Sequence, residues 1–165
     1  MNKILLPIFL FAIIVSCKKD KINARSITST DALGNVTGSV DASDWRFDDS
    51  WNSKEQALFN FADTVNTTGL LQADNNFAIA YPNPATTLIS FHFATNKSTL
   101  AKWVITDEEL HVLMKGYFIF NSNYDFTIDL TNAGFSTGNY YRIYYGLYSQ
   151  GGVLYRRGHG DFKRQ

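Results

Sequence analysis

The stretch that decides the fold is YYRIYYGLYSQGGVLYRRGHGDF, residues 140–162. Two runs rich in Tyr, Ile, Leu and Val are separated by the triplet Gln150, Gly151 and Gly152. Glycine readily adopts the positive φ angles of a tight hairpin turn, so this order predicts two antiparallel strands. We expect the resulting β-hairpin to lie at the centre of a sheet.

The first run of this hairpin alternates, which assigns its side chains to two faces of the sheet. The face with Ile and Leu is predicted to cover a core, and it comprises Tyr141, Ile143, Tyr145 and Leu147. The face with Arg is predicted to meet water or a rim, and it comprises Tyr140, Arg142, Tyr144 and Tyr148.

Five shorter apolar runs upstream predict five more strands, with no helix between them. The clearest run is residues 87–94, in which Ile89, Phe91 and Phe93 share one face. The other four are residues 77–80, 101–106, 110–118 and 126–130. With the hairpin they give about seven strands, which predicts an all-β, antiparallel β-sandwich over residues 77–165.

The composition fits a β-rich body better than a helical bundle. Aromatic residues make up 15% of the 165 residues and charged residues 18%. The 15 Lys and Arg balance the 15 Asp and Glu, so no strong net field attracts nucleic acid, and we predict no nucleic-acid partner. A single cysteine cannot form an internal disulfide, so packing alone must hold the fold.

Residues 1–16, MNKILLPIFLFAIIVS, have the layout of a signal peptide. Lys3 precedes an apolar run over residues 4–15, and this run is too short for a comfortable bilayer span. We therefore interpret residues 1–16 as an address that takes no part in the fold.

The residues that close this run, Ile14-Val15-Ser16-Cys17, resemble the lipobox of bacterial lipoproteins. The resemblance implies cleavage before Cys17, a diacylglyceryl group on its thiol and an acyl group on its new amino terminus. Two or three acyl chains hold a protein on a bilayer for long times, so the predicted partner is a membrane. Lys18 after the cysteine resembles the outer-membrane lipoproteins of this family, with the periplasmic or surface face left open.

Residues 18–43 are polar and rich in Ser, Thr, Gly and Asp, with no sustained period of 2 or 3.6. Such a composition buries too little apolar surface to offset the entropy of ordering. Residues 17–43 are therefore predicted to form a lipid anchor followed by a flexible tether, which would hold the domain away from the membrane.

Aromatic residues return in residues 44–76, which we interpret as an arm with a short helix. Ser53 and Gln56 have the spacing of a capping box, which predicts a helix over residues 54–61. The apolar residues of this helix must cover another part of the domain.

Two interpretations of Trp45 and Trp51 in this arm stay open. The arm packs these rings over an open edge or end of the sheet and protects that edge from aggregation. Alternatively, the two rings are exposed and form a ligand-binding platform for sugar rings.

The sandwich region resembles the type A C-terminal sorting domain of the type IX secretion system of Bacteroidetes. The resemblance covers residues 77 to about 155 and is carried by Tyr81-Pro82-Asn83-Pro84, Ile89-Ser90-Phe91, Ile105-Thr106-Asp107 and Thr137-Gly138-Asn139-Tyr140-Tyr141-Arg142-Ile143. It implies an Ig-like β-sandwich and a role in export. Leu110 stands at a turn where the family usually has Gly. The whole chain looks like small Bacteroidetes lipoproteins that use this sandwich as their main body.

His159 and Asp161 flank Gly160, so in an extended strand both side chains point the same way. This is the arrangement of two metal ligands or of an acid/base pair, although two ligands do not complete a metal site. The alternative is that Gly158 and Gly160 permit a bulge or a close backbone approach, while His159 and Asp161 form hydrogen bonds.

Arg156, Arg157, Lys163 and Arg164 make the C-terminal end locally basic, with Tyr155 beside them. They are candidate ligand-binding residues for an acidic partner or a phosphate group, or else a solvated strand edge that discourages edge pairing. The carboxylates of residues 107–109 are predicted to form a solvated hairpin tip.

These observations predict a non-enzymatic, lipid-anchored cell-envelope protein of the outer membrane, without a cofactor. Its Ig-like sandwich would serve as an interaction or accessory module for an envelope protein or a glycan. The alternatives are a carbohydrate-binding module and a type IX sorting domain. No nucleophile elbow, phosphate loop or zinc signature is present in the sequence, which disfavours an enzyme.

Overall fold

The computed structural model describes Ile22 and residues 26–61, 76–132 and 134–165. The predicted signal peptide, the predicted lipidation site Cys17 and residues 62–75 of the predicted arm lie outside the described residues. Within them the chain forms seven strands and one short helix, which confirms the predicted all-β sandwich.

The seven strands form two antiparallel sheets. Their bounds are β1 Phe77–Tyr81, β2 Leu88–Ala94, β3 Thr99–Thr106, β4 Val112–Phe120, β5 Asn123–Asp129, β6 Tyr140–Tyr148 and β7 Leu154–Lys163. One sheet has the order β1-β2-β5 and the other β4-β3-β6-β7, which is an Ig-like arrangement. The predicted hairpin forms, but it is not central, because β7 is an edge strand.

The core lies between the sheets and is largely aromatic. Its members include the predicted faces of β2 and β6, namely Ile89, Phe91, Phe93, Tyr141, Ile143, Tyr145 and Leu147. Phe93 meets Tyr145 edge to face with 5.2 Å between ring centroids, a geometry that aromatic pairs prefer. The alternation of polar and apolar residues therefore placed this face correctly.

The opposite face of β6 is also covered, and the prediction that it meets water was wrong. Tyr144 is fully buried in a second apolar cluster with Val104 of β3 and three residues of the arm, namely Trp51, Leu58 and Phe59. Trp51 meets Tyr144 edge to face at 5.9 Å. The four-stranded sheet is therefore packed on both faces, between the core and the arm.

The helix of the arm is Ser53–Ala57, shorter than the predicted residues 54–61. Its cap is Asn52, whose side chain accepts the backbone N–H groups of Lys54 and Glu55, and Glu55 completes the capping box. After Ala57 the chain packs into the second cluster instead of continuing the helix, because tertiary burial overrides a weak local propensity.

Residues 26–43 are docked on the sandwich, so the prediction of a flexible tether was wrong for this part of the chain. Thr30 and Asn83 exchange two backbone hydrogen bonds, of 2.8 and 3.1 Å. The Thr30 hydroxyl donates to the carbonyl of Ala80 at 2.8 Å, and Ile27 and Thr28 are buried. Composition missed this docking because backbone pairing and local side-chain hydrogen bonds need few apolar residues.

Candidate functional site

Most of the predicted site residues meet where the arm runs along the outer edge of β7. We call this region the clasp, formed by residues 44–51 of the arm and residues 156–161 of β7. The Trp45 N–H donates to the His159 carbonyl at 2.9 Å, and the Asp48 N–H donates to the Arg157 carbonyl at 2.9 Å. The arm therefore donates hydrogen bonds to backbone carbonyls on the open edge of β7. A covering segment of this kind is one way in which natural sheets protect an edge strand.

Two glycines of β7 make this close approach feasible. A Cβ added at Gly158 would lie less than 3.0 Å from the backbone oxygen of Arg46, and one at Gly160 equally close to the Trp45 ring. The predicted close backbone approach is confirmed at Gly158, whereas the atoms closest to Gly160 belong to the Trp45 side chain. Trp45 itself has a left-handed φ of 59°, a conformation that bulky residues rarely adopt.

His159 and Asp161 share one face of β7, as predicted, but each is engaged by a protein group. The His159 Nδ1 lies 2.9 Å from both carboxylate oxygens of Asp48. Asp161 is buried and accepts two hydrogen bonds from Arg142, at 2.6 and 2.7 Å. This bidentate pairing supports the alternative interpretation, in which both residues hold the end of the domain together.

Asp44 is the clasp residue that the sequence analysis did not single out. It is buried, and its two carboxylate oxygens accept the backbone N–H groups of Thr28 and Asp161, each at 2.8 Å. Burial, together with the negative charge of Asp161, raises the pKa of Asp44 to about 6. No spacing marks this aspartate in the sequence, because its partners are 16 and 117 residues away.

Trp45 and Trp51 do not form an exposed platform. Trp51 is only 3% exposed, its ring stacks on Phe59 at 4.6 Å, and its Nε1 donates to Asp48 at 2.7 Å. Trp45 is partly buried against the main core, 6.3 Å from the Phe91 ring. The prediction of a sugar platform on this pair was wrong, because the arm uses both rings for packing.

The predicted basic ligand site is also built into the domain. Tyr155 is buried, with its hydroxyl hydrogen-bonded to Thr99. The Arg157 guanidinium donates to the backbone carbonyls of Asp48 and Asp49, and the Arg156 guanidinium lies 4.9 Å from the centroid of the Phe47 ring. The two arginines therefore hold the arm on β7, and Tyr155 is bonded within the sandwich, so the three side chains do not form an open anion site.

A second polar cluster lies in the turn between β3 and β4. Asp107, Glu109 and His111 bring one ligand atom each to within 4.8 Å of one another, and the His111 Nδ1 lies 2.8 Å from Asp107. Partial burial opposes ionisation, but hydrogen bonds from His111 and Glu109 hold the pKa of Asp107 below its ordinary value. Two carboxylates and an imidazole are a donor set that divalent cations accept.

This cluster was missed because the sequence analysis predicted a solvated hairpin tip at residues 107–109 and assigned His111 to the strand predicted over residues 110–118. Leu110 has a left-handed φ of 64°, and this residue turns the chain so that His111 folds back on Asp107. An open cleft of about 420 Å³ adjoins the turn and is lined in part by Glu108, Asn139 and Tyr140. A left-handed non-glycine residue leaves no mark in the sequence.

The most exposed apolar strand is β4. Tyr117 is 69% exposed and Ile119 is 67% exposed, and Val112 and Met114 are exposed as well. Single exposed apolar residues are ordinary, whereas several on one edge strand mark a surface for association. The outward side chains of β4 therefore form an apolar surface patch that the sequence analysis did not identify.

No protein-family model and no curated protein matches this chain. Among the described residues, no helix has the length and hydropathy needed to cross a bilayer.

Proposed function

We propose that this chain is a lipid-anchored protein of the bacterial cell envelope, in which the sandwich is a non-enzymatic interaction module. The observation that carries the proposal is Cys17, the only cysteine, which follows the apolar residues 4–15 and Ser16. A thiol at that position suits diacylglyceryl transfer, and two or three acyl chains give stable membrane binding. The chemistry of the clasp supports a structural role for most of the titratable residues that were candidates for catalysis.

One backbone contact supports a position for the sandwich relative to the proposed lipid. The backbone N–H of Ile22 donates to the carbonyl of Glu108 at 2.9 Å. Ile22 follows Cys17 by five residues, and five extended residues span at most about 18 Å. The end of the sandwich that carries the β3–β4 turn therefore lies next to the bilayer. In this proposal a residue only five positions after Cys17 contacts the sandwich, in place of a flexible tether over residues 17–43.

Detergent partitioning of cell envelopes tests the anchor. The wild-type protein should enter the detergent-rich phase. The Cys17→Ser variant keeps the size of the side chain but accepts no thioether-linked lipid. This variant should therefore lack the added lipid mass. Equal electrophoretic mobility and equal partitioning of the two proteins would reject the lipid.

A second candidate function is export sorting, as the type IX resemblance implies. The observation that favours it is Leu110, which adopts the left-handed backbone of a glycine at the turn where that family usually has Gly. Because residues 26–61 cover the sandwich, two reporter fusions are required, one with residues 26–165 and one with residues 77–165. Failure of both fusions to reach the surface of a type IX-competent cell would reject sorting.

A further inference from the structure

The turn between β3 and β4 brings an imidazole and two carboxylates together, and the clasp does not use them. The His111 Nδ1 lies 2.8 Å from the Asp107 Oδ2 and 3.9 Å from the Glu109 Oε2. Within the part of the chain that the structure describes, no other group of three or more His, Cys, Asp or Glu side chains is close enough to hold one metal ion. The imidazole distinguishes this group, which we call the turn triad, from an ordinary surface patch of carboxylates.

The backbone of the turn fixes the orientation of the first carboxylate. The Asp107 Oδ1 accepts the backbone N–H groups of Glu109 and His111, at 2.8 and 2.9 Å. These bonds leave the other oxygen, Oδ2, directed at the imidazole. Thr106 pairs with Val112 at the base of the turn, so the two strands hold its ends. A cation would therefore meet a ligand that is already oriented by the protein.

The spacing of the donor atoms suits a small divalent cation. Tetrahedral zinc has bonds of about 2.0–2.1 Å to nitrogen and oxygen, which sets neighbouring ligand atoms about 3.3 Å apart. The two distances from the His111 Nδ1 lie on either side of that value. His111 is exposed and Glu109 is half-buried, so small rotations of these two side chains bring the three atoms onto one ion.

We propose that the turn triad binds one transition-metal ion of the zinc class through Asp107, Glu109 and His111. Imidazole nitrogen suits zinc and its neighbours, whereas calcium and magnesium prefer oxygen ligands alone. Three protein ligands and one open position are the arrangement of zinc sites that also take a water or another ligand. The site goes beyond the proposed function, and it does not depend on the lipid.

The cleft beside the turn gives access to the open position. It has a volume of about 420 Å³, and Asp107 and Glu109 are among its lining residues. Asn139 and Tyr140 lie on the opposite strand side of the same cleft. A water molecule or a carboxylate that enters the cleft can therefore reach the ion and complete its coordination.

Calorimetric titration of the metal-free protein with zinc chloride tests the site. The full-length Cys17→Ser protein in mild detergent is used throughout, because a cysteine thiol also binds zinc. We expect saturable binding of a single ion per chain, and an equal concentration of calcium should not compete. Failure of this test leaves the lipid anchor untouched, because the lipid is absent from every protein in the comparison.

Four substitutions separate the turn triad from general attraction of cations. His111→Asn and Glu109→Gln each remove one ligand, so we expect either to raise the dissociation constant at least about tenfold. Glu108→Gln removes the neighbouring carboxylate, and His92→Asn removes another His–Asp pair, in which the His92 Nδ1 lies 2.9 Å from Asp125. Both controls should keep the dissociation constant of the parent protein. Urea unfolding without metal checks that all four variants are folded.

Tighter zinc binding in the two controls than in the two triad variants supports the proposal. The absence of saturable binding would overturn it, as would an equal loss in Glu108→Gln or a preference for calcium. Binding that persists in both triad variants would show an adventitious ion only. Cobalt(II) gives a second readout, because its visible absorption reports coordination geometry. A spectrum that His111→Asn does not change would also overturn the site.

Discussion

Replacing Gly158 with alanine should loosen the arm from the edge of β7. The added methyl group would lie less than 3.0 Å from the backbone oxygen of Arg46, where an ordinary van der Waals contact needs at least 3.4 Å. A backbone oxygen cannot rotate away, so the arm itself must move. Overpacking costs about 1–3 kcal/mol, and a lost backbone hydrogen bond about 1 kcal/mol more. We therefore expect a loss of about 3 kcal/mol in the free energy of unfolding.

Gly160→Ala is the informative comparison, because its obstacle is a side chain. The Trp45 ring can turn about its side-chain torsions, which the backbone oxygen of Arg46 cannot do. The expected loss is therefore smaller, about 2 kcal/mol or less. Gly151→Ala is the matched control, since the nearest atom to its added Cβ lies 3.9 Å away, and it should change stability by less than about 0.5 kcal/mol.

Urea unfolding followed by tryptophan fluorescence measures all three variants, and limited proteolysis locates the loosened segment. In the Gly158→Ala variant, cleavage should appear first within residues 44–51, before the sandwich unfolds. If Gly158→Ala proves no more destabilising than Gly151→Ala, the arm is not clamped on β7 and the account of the clasp fails.

Three further predictions concern buried groups. Asp44 has a pKa raised from 3.8 to about 6, so its contribution to stability is present below pH 4 and is lost as the pH rises through 6. When the pH is raised from 4 to 7, the free energy of unfolding of Asp44→Asn, measured with urea, should rise by about 3 kcal/mol relative to that of the wild type. If the free energies of unfolding of the two proteins change in parallel with pH, Asp44 does not titrate in this way. Arg142→Met leaves the Asp161 carboxylate buried without its cation, so the free energy of unfolding should fall by about 3–5 kcal/mol in the same assay. The double variant Arg142→Met/Asp161→Asn removes that buried charge and should recover part of the lost stability. Trp51→Ala leaves a cavity in the second cluster and should lower the free energy of unfolding by about 3–5 kcal/mol. Val36→Ala, at an exposed position, is the control. A loss below about 1 kcal/mol for Trp51→Ala would show that the cluster does not hold the arm.

The strands could be predicted because apolar and polar residues alternate with a period of 2 in a half-buried strand. Ile89, Phe91 and Phe93 carry that pattern, and the structure buries all three. The same reasoning failed for Tyr144, because a distant segment covers a face that carries Arg142. The alternation of residues within β6 carries no information about its burial by the arm, which lies almost 100 positions away along the chain.

The clasp could be predicted only in part. The order Gly158, His159, Gly160 indicated a close backbone approach, but not which segment approaches. The docking of residues 26–43 left no apolar signal, since Thr30 is held through backbone pairing and its hydroxyl group. The shape of the β3–β4 turn was not predicted for another reason. Leu110 adopts a left-handed conformation, which a glycine at this position would have indicated and a leucine does not.

The intact mass of the native protein, purified from cell envelopes, tests the central claim most directly. The account predicts a polypeptide that begins at Cys17 and carries the mass of a diacylglyceryl group and an amide-linked acyl chain. A polypeptide that begins at Met1, with an unmodified thiol at Cys17, would contradict the lipid anchor and the membrane-facing placement of the β3–β4 turn.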